Sequence, residues 1–365
     1  MLQRFKIKDQ DLVRVPEKHL REIVERLFEK MGVPGDDCRL AADVLVSADL
    51  RGVESHGVSN MLRKYIRDYK AGRINPTPTW RIIRESPATA SIDCDAGLGI
   101  IMAPKAMKIA IEKAKKIGIS MVTLKNSGHM GMVSYYAMQA LTHDMIGVAM
   151  TSSPPEMVPT FGAEPRLGTN PIALAAPAAT EAPFVYDAAT TVISSNKVGL
   201  AKRLGVKLPG GWVAQSDGTP IMEEVNPNIS GYEGRTHPSL LPLGGIRELG
   251  SHKGYGLACV VEILSGILTG GGYSALEGRS GYTHSVAAYN IKSFMDPAEF
   301  KQTMDEWLRT LKSTKPAPGH ARVFYAGQQE AECEVENRAR GILLHREVVE
   351  WFHTMCDELS ITCSL

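Results

Sequence analysis

The sequence predicts an α+β (mixed α/β) protein in which a mixed-sheet domain is inserted between helical segments from the two ends of the chain. Three observations carry this expectation. Apolar residues recur at helical spacing near both ends, and short β-rich runs alternate with helical stretches in between. Asn75-Pro-Thr-Pro and Asp296-Pro297 punctuate the changeovers. The expected division is therefore a helical domain of 1–75 plus 297–365 and a mixed-sheet domain of 76–296.

Each element follows from a local pattern. Leu20, Ile23, Val24, Leu27 and Phe28 place an apolar stripe on a first helix. Asp36 and Asp37 suit the N-terminus of a second, which runs through Leu40, Val44, Leu45 and Ala48 to about Arg51. A third spans about Ser59 to Ala71, with Met61, Leu62, Tyr65, Ile66 and Tyr69 inward and Gly72 as its stop. Strands are expected at Trp80–Arg84, Ala88–Cys94, Ile119–Lys125, Ile146–Thr151, Ile172–Ala176, Phe184–Asp187 and Ser285–Ile291. Helices are expected at Ala103–Lys116, Val133–His143 and Lys253–Thr269, and Asp217-Gly218 reads as a hairpin turn. Beyond Pro297, Phe300, Met304, Trp307, Leu308 and Leu311 mark another helix, followed by Gln328–Arg340 and Arg346–Leu359.

Composition narrows the function. In 365 residues, 41 Lys plus Arg face 40 Asp plus Glu, so no basic excess recruits nucleic acid or an anionic membrane, and a small solute is the expected partner. The most apolar helical run, Leu257–Leu268, is too short to span a bilayer and contains Glu262. The six cysteines, none closer than seven residues to the next, show no Cys-x-x-Cys spacing, and no His-x-x-x-His supplies a metal site. With a polar N-terminus, the expectation is a cytoplasmic protein with reduced thiols and no metal.

Chemistry-bearing residues collect in glycine-rich linkers. His56, in Arg51-Gly-Val-Glu-Ser-His-Gly57, sits between two helical patterns; it is either an acid–base group or a turn residue behind a capping Ser55. His129, in Lys125-Asn-Ser-Gly-His-Met-Gly131, follows a strand and precedes a helix, where anions bind; a solvated turn is the alternative. Gly168-Thr-Asn-Pro171 precedes a strand. Asp187-Ala-Ala-Thr-Thr191 sets a carboxylate at a strand end. Gly250-Ser-His-Lys-Gly-Tyr-Gly256 offers His252 and Lys253 to phosphate at a helix N-terminus, or is merely structural. Gly97-Leu-Gly-Ile-Ile-Met102 approximates the dinucleotide fingerprint, but Met102 stands in place of its third glycine and no acidic residue ends a second strand. No Gly-Lys-Ser/Thr is present, which argues against a P-loop nucleotidase.

Taken in order, Arg51…Ser55-His56-Gly57, Asn126-Ser-Gly-His-Met-Gly131, Gly168-Thr-Asn-Pro171, Asp187-Ala-Ala-Thr-Thr191, His252-Lys-Gly-Tyr-Gly256 and Pro318-Gly319 resemble the malate/L-lactate dehydrogenase family that is unrelated to the Rossmann-type enzymes. The resemblance covers about residues 10 to 355. It implies a homodimer, a non-Rossmann cofactor-binding sheet domain, and NAD or NADP held near Ser55, Ser153, Asp187, Ala188, Ala189, Thr191, His252, Lys253 and Gly319. It implies hydride transfer to or from a small 2-hydroxy or 2-oxo acid, malate/oxaloacetate first and lactate/pyruvate next, with His56 or His129 as the proton carrier and the balance towards His56. Many relatives carry a substrate-gripping arginine four positions after the first histidine; here that position is Asn60, with Arg63 and Lys64 nearby, which shifts the expected grip to Arg51 or a neighbouring cation. The rival readings are reduction of a cyclic imino acid on the same fold and a non-catalytic nucleotide-binding scaffold.

Overall fold

A computed structural model describes residues 3–5, 7–279 and 281–365. The chain starts with a short strand, β1 (Leu12–Val15), then α1 (Glu17–Lys30) and α2 (Gly35–Leu50). The α1 stripe read from the sequence is its buried face. Helix α2 is buried on several sides, and its Ala41, Ala42 and Ala48 let neighbouring helices approach closely. After a tight turn at Glu54–His56, the chain makes a π-helical turn (Val58–Leu62) and continues as α3 (Arg63–Lys70). Such turns add a residue to a helix and re-aim the next stretch of it.

The middle of the chain builds the sheet from β2 (Arg81–Glu85), β3 (Thr89–Gly97), β4 (Ile119–Ser127), β5 (Met145–Ser152), β6 (Ile172–Ala176), β7 (Phe184–Ala188) and a later strand, Tyr282–Asn290. Among the described residues these seven strands pair in the order β2-β3-β4-(282–290)-β5-β6-β7, with β3 and β4 parallel and every other pair antiparallel. The single parallel step is crossed by α4 (Gly99–Ile117), whose Ala103, Ala106, Ala110 and Ala114 are fully buried. A doubly wound dinucleotide sheet would be mainly parallel; this one is mixed, as the non-Rossmann expectation requires. The short α5 (Ser134–Gln139) packs on β5 and β6.

Between β7 and the last sheet strand lie α6 (Ser195–Leu204), the small ribbon of β8 (Val213–Ala214) with β9 (Ser239–Leu240), and α7 (Ser251–Val261), which runs on through irregular helical turns to Thr269. The Asp217-Gly218 turn forms, with Gly218 at φ +86°. The strand Tyr282–Asn290 is β10.

Helix α8 (Pro297–Lys312) lies beside the sheet: its buried Asp305 accepts the N–H groups of Ala179, Thr180 and Glu181 before β7, and Trp307 meets Phe184. Then come α9 (Gln328–Arg340), β11 (Ile342–His345) and α10 (Arg346–Glu358). Strand β11 pairs antiparallel with β1, so the two ends of the chain are zipped together. The sequence reading did not anticipate either of these four-residue strands.

Candidate active site

Gly57 sets the first histidine. A side chain at Gly57 would drive its Cβ to within 2.0 Å of the Asp49 carboxylate. Its absence lets the buried Asp49 accept the Val58 N–H at 2.8 Å, pinning the turn to α2. Burial raises the Asp49 pKa well above the usual carboxylate range. From the other side, Asn196 at the start of α6 donates to the Ser55 carbonyl at 2.7 Å, and Arg203 pairs with Glu54 at 3.1 Å. Ser55 does not cap the following helix; its hydroxyl lies 2.9 Å from His56 Nδ1.

The second histidine occupies the loop after β4. Gly99 opens α4 against this loop, and a Cβ there would lie 2.3 Å from the Gly128 carbonyl oxygen. The Gly97–Met102 run therefore serves close packing of the His129 loop against the start of α4. His129 Nδ1 accepts the Gly131 N–H at 3.1 Å and lies 2.7 Å from the Tyr65 hydroxyl. Because a backbone N–H can only donate, the ring proton of the neutral histidine is on Nε2.

The fold brings the two histidines together: their rings stack with centroids 5.9 Å apart and planes 13° from parallel. Tyr282 meets the His129 ring edge-on at 5.2 Å and stacks on His284, two residues along the same strand. His284 Nε2 faces the Gly128 carbonyl at 3.1 Å, and its Nδ1 faces the Thr151 hydroxyl at 2.7 Å. Burial pushes His56 down to about 4 and His284 to about 3. His129 is pushed well below its ordinary value, by burial first and then by the charge of Lys64 and the neighbouring histidines. The result is a set of neutral imidazoles walled by aromatic rings.

The remaining candidates divide. Asp187, at the end of β7, accepts the Ser134 N–H at 2.7 Å at the start of α5. Ser153 accepts the Thr169 N–H at 3.1 Å and is itself held by Asn170. Thr191 is buried, with its hydroxyl turned to the Ile193 carbonyl; Ala188 and Ala189 are half-buried beside it. His252 and Lys253 are exposed on the first turn of α7, and Gly319 is exposed in a turn at φ +84°.

Arg51 is a correction. Its guanidinium is buried and paired with Glu334 of α9 at 2.9 Å, so it braces α2 against α9 and is not a free carboxylate grip. Asn60, where many relatives have the arginine, donates to the Glu54 carbonyl at 2.8 Å and receives Arg203 at 3.3 Å. Sequence reasoning named Lys64 only as a cation near Asn60, and missed Tyr65 as a site residue together with Tyr282, His284 and Asn196. Only the i, i+2 spacing of Tyr282 and His284 signalled a shared strand face.

A profile of the malate/L-lactate dehydrogenase family matches residues 15–352. The chain belongs to this family. The malate dehydrogenase of Pyrococcus abyssi is 42% identical over 97% of both chains. The L-sulfolactate dehydrogenase of Methanocaldococcus jannaschii is 36% identical over 96% of this chain and 98% of that one. The solved structure of the Pyrococcus horikoshii malate dehydrogenase superposes with a TM-score of 0.88 at 37% identity, covering 98% and 99% of the two chains. Membership makes the protein an oxidoreductase that works on a small hydroxy or oxo acid with a nicotinamide cofactor, and the mixed sheet is the family's fold.

Proposed function

We infer that the enzyme interconverts malate and oxaloacetate, with His56 as the proton carrier. Support for the substrate comes from the malate dehydrogenases among its relatives, at 42% and 40% identity over nearly the full chain. The observation that carries the assignment of roles is the different partnership of the two Nδ1 atoms. His56 Nδ1 faces a serine hydroxyl, which accepts as readily as it donates, so the ring can gain a proton and keep its contact. His129 Nδ1 faces a backbone N–H, so protonation there would set two donors against each other. His129 therefore stays neutral and offers Nε2–H to the substrate oxygen, while His56 gives or takes the proton.

The donor set suits a nicotinamide dinucleotide. His252 and Lys253 stand exposed at the leading turn of α7, where their side chains and the helix dipole favour a diphosphate. Ser55, Ser153 and the Asp187–Thr191 strand end, with Gly319, complete the expected contacts for either NAD or NADP. The bound nicotinamide would supply or accept the hydride. Asp187, by holding the start of α5, fixes the end of the His129 loop.

The reading also takes the enzyme as a homodimer. Leu257, Val260, Ile263 and Ile267 form an exposed apolar row along α7 and its continuation, with Ile263 54% and Ile267 56% exposed, and a second copy is the expected cover.

Assays of oxaloacetate, pyruvate and a cyclic imino acid with NADH and with NADPH should give the highest kcat/KM for oxaloacetate. His56→Asn should lower turnover by about a hundred- to ten-thousand-fold while cofactor still binds. Near-wild-type turnover in both H56N and H129N would sink the mechanism; collapse in H129N alone would exchange the two roles.

A further inference from the structure

With Arg51 buried on Glu334 and Asn60 in the place of an arginine, the site needs another cation for the substrate carboxylate. Several cationic side chains lie on or against the segment that carries His56, and most are engaged elsewhere: Lys197 of α6 lies over the Phe5 ring at 5.5 Å. Arg51 pairs with Glu334 at 2.9 Å. Arg63 pairs with Glu347 at 2.5 Å and lies over the Trp351 ring. Arg203 is shared between Glu54 and Glu347.

Lys64 stands on the first turn of α3. Its ammonium lies 5.6 Å from the centroid of the Tyr282 ring, the same ring that meets His129 edge-on at 5.2 Å. The next residue, Tyr65, bonds His129 directly. Lys64 thus flanks the aromatic wall of the histidine pair, close enough for its charge to depress His129.

We propose that Lys64 is the receptor for the substrate's carboxylate, released to it by an exchange of partners at Asp68. Lys64 donates to Asp68 Oδ2 at 3.1 Å, one turn along the helix. Asp68 is also gripped by Arg73, whose Nη2 and Nε reach its Oδ1 at 2.6 and 3.1 Å. Asp68 is buried, so it cannot be left uncompensated without cost, and Arg73 provides that compensation when the ammonium swings away. The lysine side chain is about one-third exposed and flexible, which leaves it room to move. The second carboxyl within electrostatic reach is Glu156; burial raises its pKa and it is hydrogen-bonded to Ser195, which weakens it as a competitor for the ammonium. A flexible ammonium suits acids of several shapes, whereas a guanidinium fork imposes one planar geometry.

This proposal rests on the 2-oxo acid reading above. Lys64→Met should raise KM for oxaloacetate by about 10- to 100-fold, the loss of one charge-assisted hydrogen bond, while kcat falls far less and KM for the reduced cofactor is unchanged. Lys64→Arg should restore most of the loss. The sharper readout is discrimination between a 2-oxo acid and the methyl ester of its 1-carboxylate: the wild type should prefer the acid, and K64M should lose that preference, which a merely structural lysine would not cause. If K64M fails to fold, Arg67→Met combined with Arg73→Met decides, because both arginines that share Asp68 with Lys64 are then gone, Lys64 is held there, and KM should rise with the lysine intact. Unchanged KM and unchanged acid-over-ester preference in the folded variant overturn the proposal. A wild-type enzyme that reduces no 2-oxo acid overturns both it and the functional reading; an active wild type with an indifferent K64M overturns this proposal alone.

Discussion

At the scale of the residue, the site works by keeping its histidines neutral. A free histidine titrates at 6.5, whereas desolvation pushes His56 down to about 4 and His284 to about 3. For malate oxidation the proton carrier must start neutral, so the limb of the kcat/KM profile set by His56 should lie near pH 4 and not near 6.5, activity falling as pH falls through it. A limb at 6.5 that disappears in H56N would contradict the burial argument. The same groups link stability to pH. Between 6.5 and about 4 the unfolded chain binds more protons than the native one, so their stabilisation is complete above 6.5 and lost as pH falls towards the native values. Melting temperatures recorded on lowering the pH from above 6.5 should decline steadily. Arg51 tests a different point: Arg51→Met should destabilise the protein by about 1.5–3 kcal/mol through the loss of its bond to Glu334, without raising KM. The two histidines were legible in the sequence because glycines flank them in linkers. Lys64 was legible only as a cation near Asn60, and Tyr65 was not, because it lies inside a regular apolar repeat where it reads as core, and only the third dimension turns its hydroxyl onto His129.

At the scale of the element, the decisive feature is how closely two segments approach through glycine. The sequence run Gly97–Met102 invited a phosphate-loop reading and failed it at Met102; the structure gives Gly99 a different task, because the His129 loop passes where its Cβ would be. Gly99→Ala must push that loop away. We expect a cost of about 1–3 kcal/mol in a denaturant midpoint series and a marked fall in kcat, with the cofactor's Kd much less affected. Equal stability and turnover in G99A would show that the loop yields without consequence. Most strands and helices were readable from period-2 and helical patterns, and several bounds fall within one or two residues of the observed ones. The exceptions have physical causes. The π-helical turn at Val58–Leu62 leaves no mark in an apolar repeat, and β10 begins at Tyr282, three residues before the expected start, because the polar His284 disguises a buried strand face.

At the scale of the whole molecule, the apolar row on α7 and the pairing of the chain ends carry the remaining consequences. Ile263→Lys places a charge on the exposed row and should halve the mass measured by light scattering in solution, whereas an unchanged dimer mass would move the interface elsewhere. The inserted-sheet arrangement was visible from the order of patterns, since helical ends around a mixed middle imply that the ends meet. What the pattern could not convey is the means: four residues at each end, too few to register as strands, pair as β1 and β11. That pairing has a bearing on when the enzyme can first work. The His56 turn and the helix after it are synthesised early, yet their outer braces, Glu334 and Glu347, belong to α9 and α10. A ribosome that has not yet released α9 and α10 still carries a histidine turn without those two braces, so competence should arrive only with α10, and a nascent chain has little opportunity to act on substrate before that helix emerges.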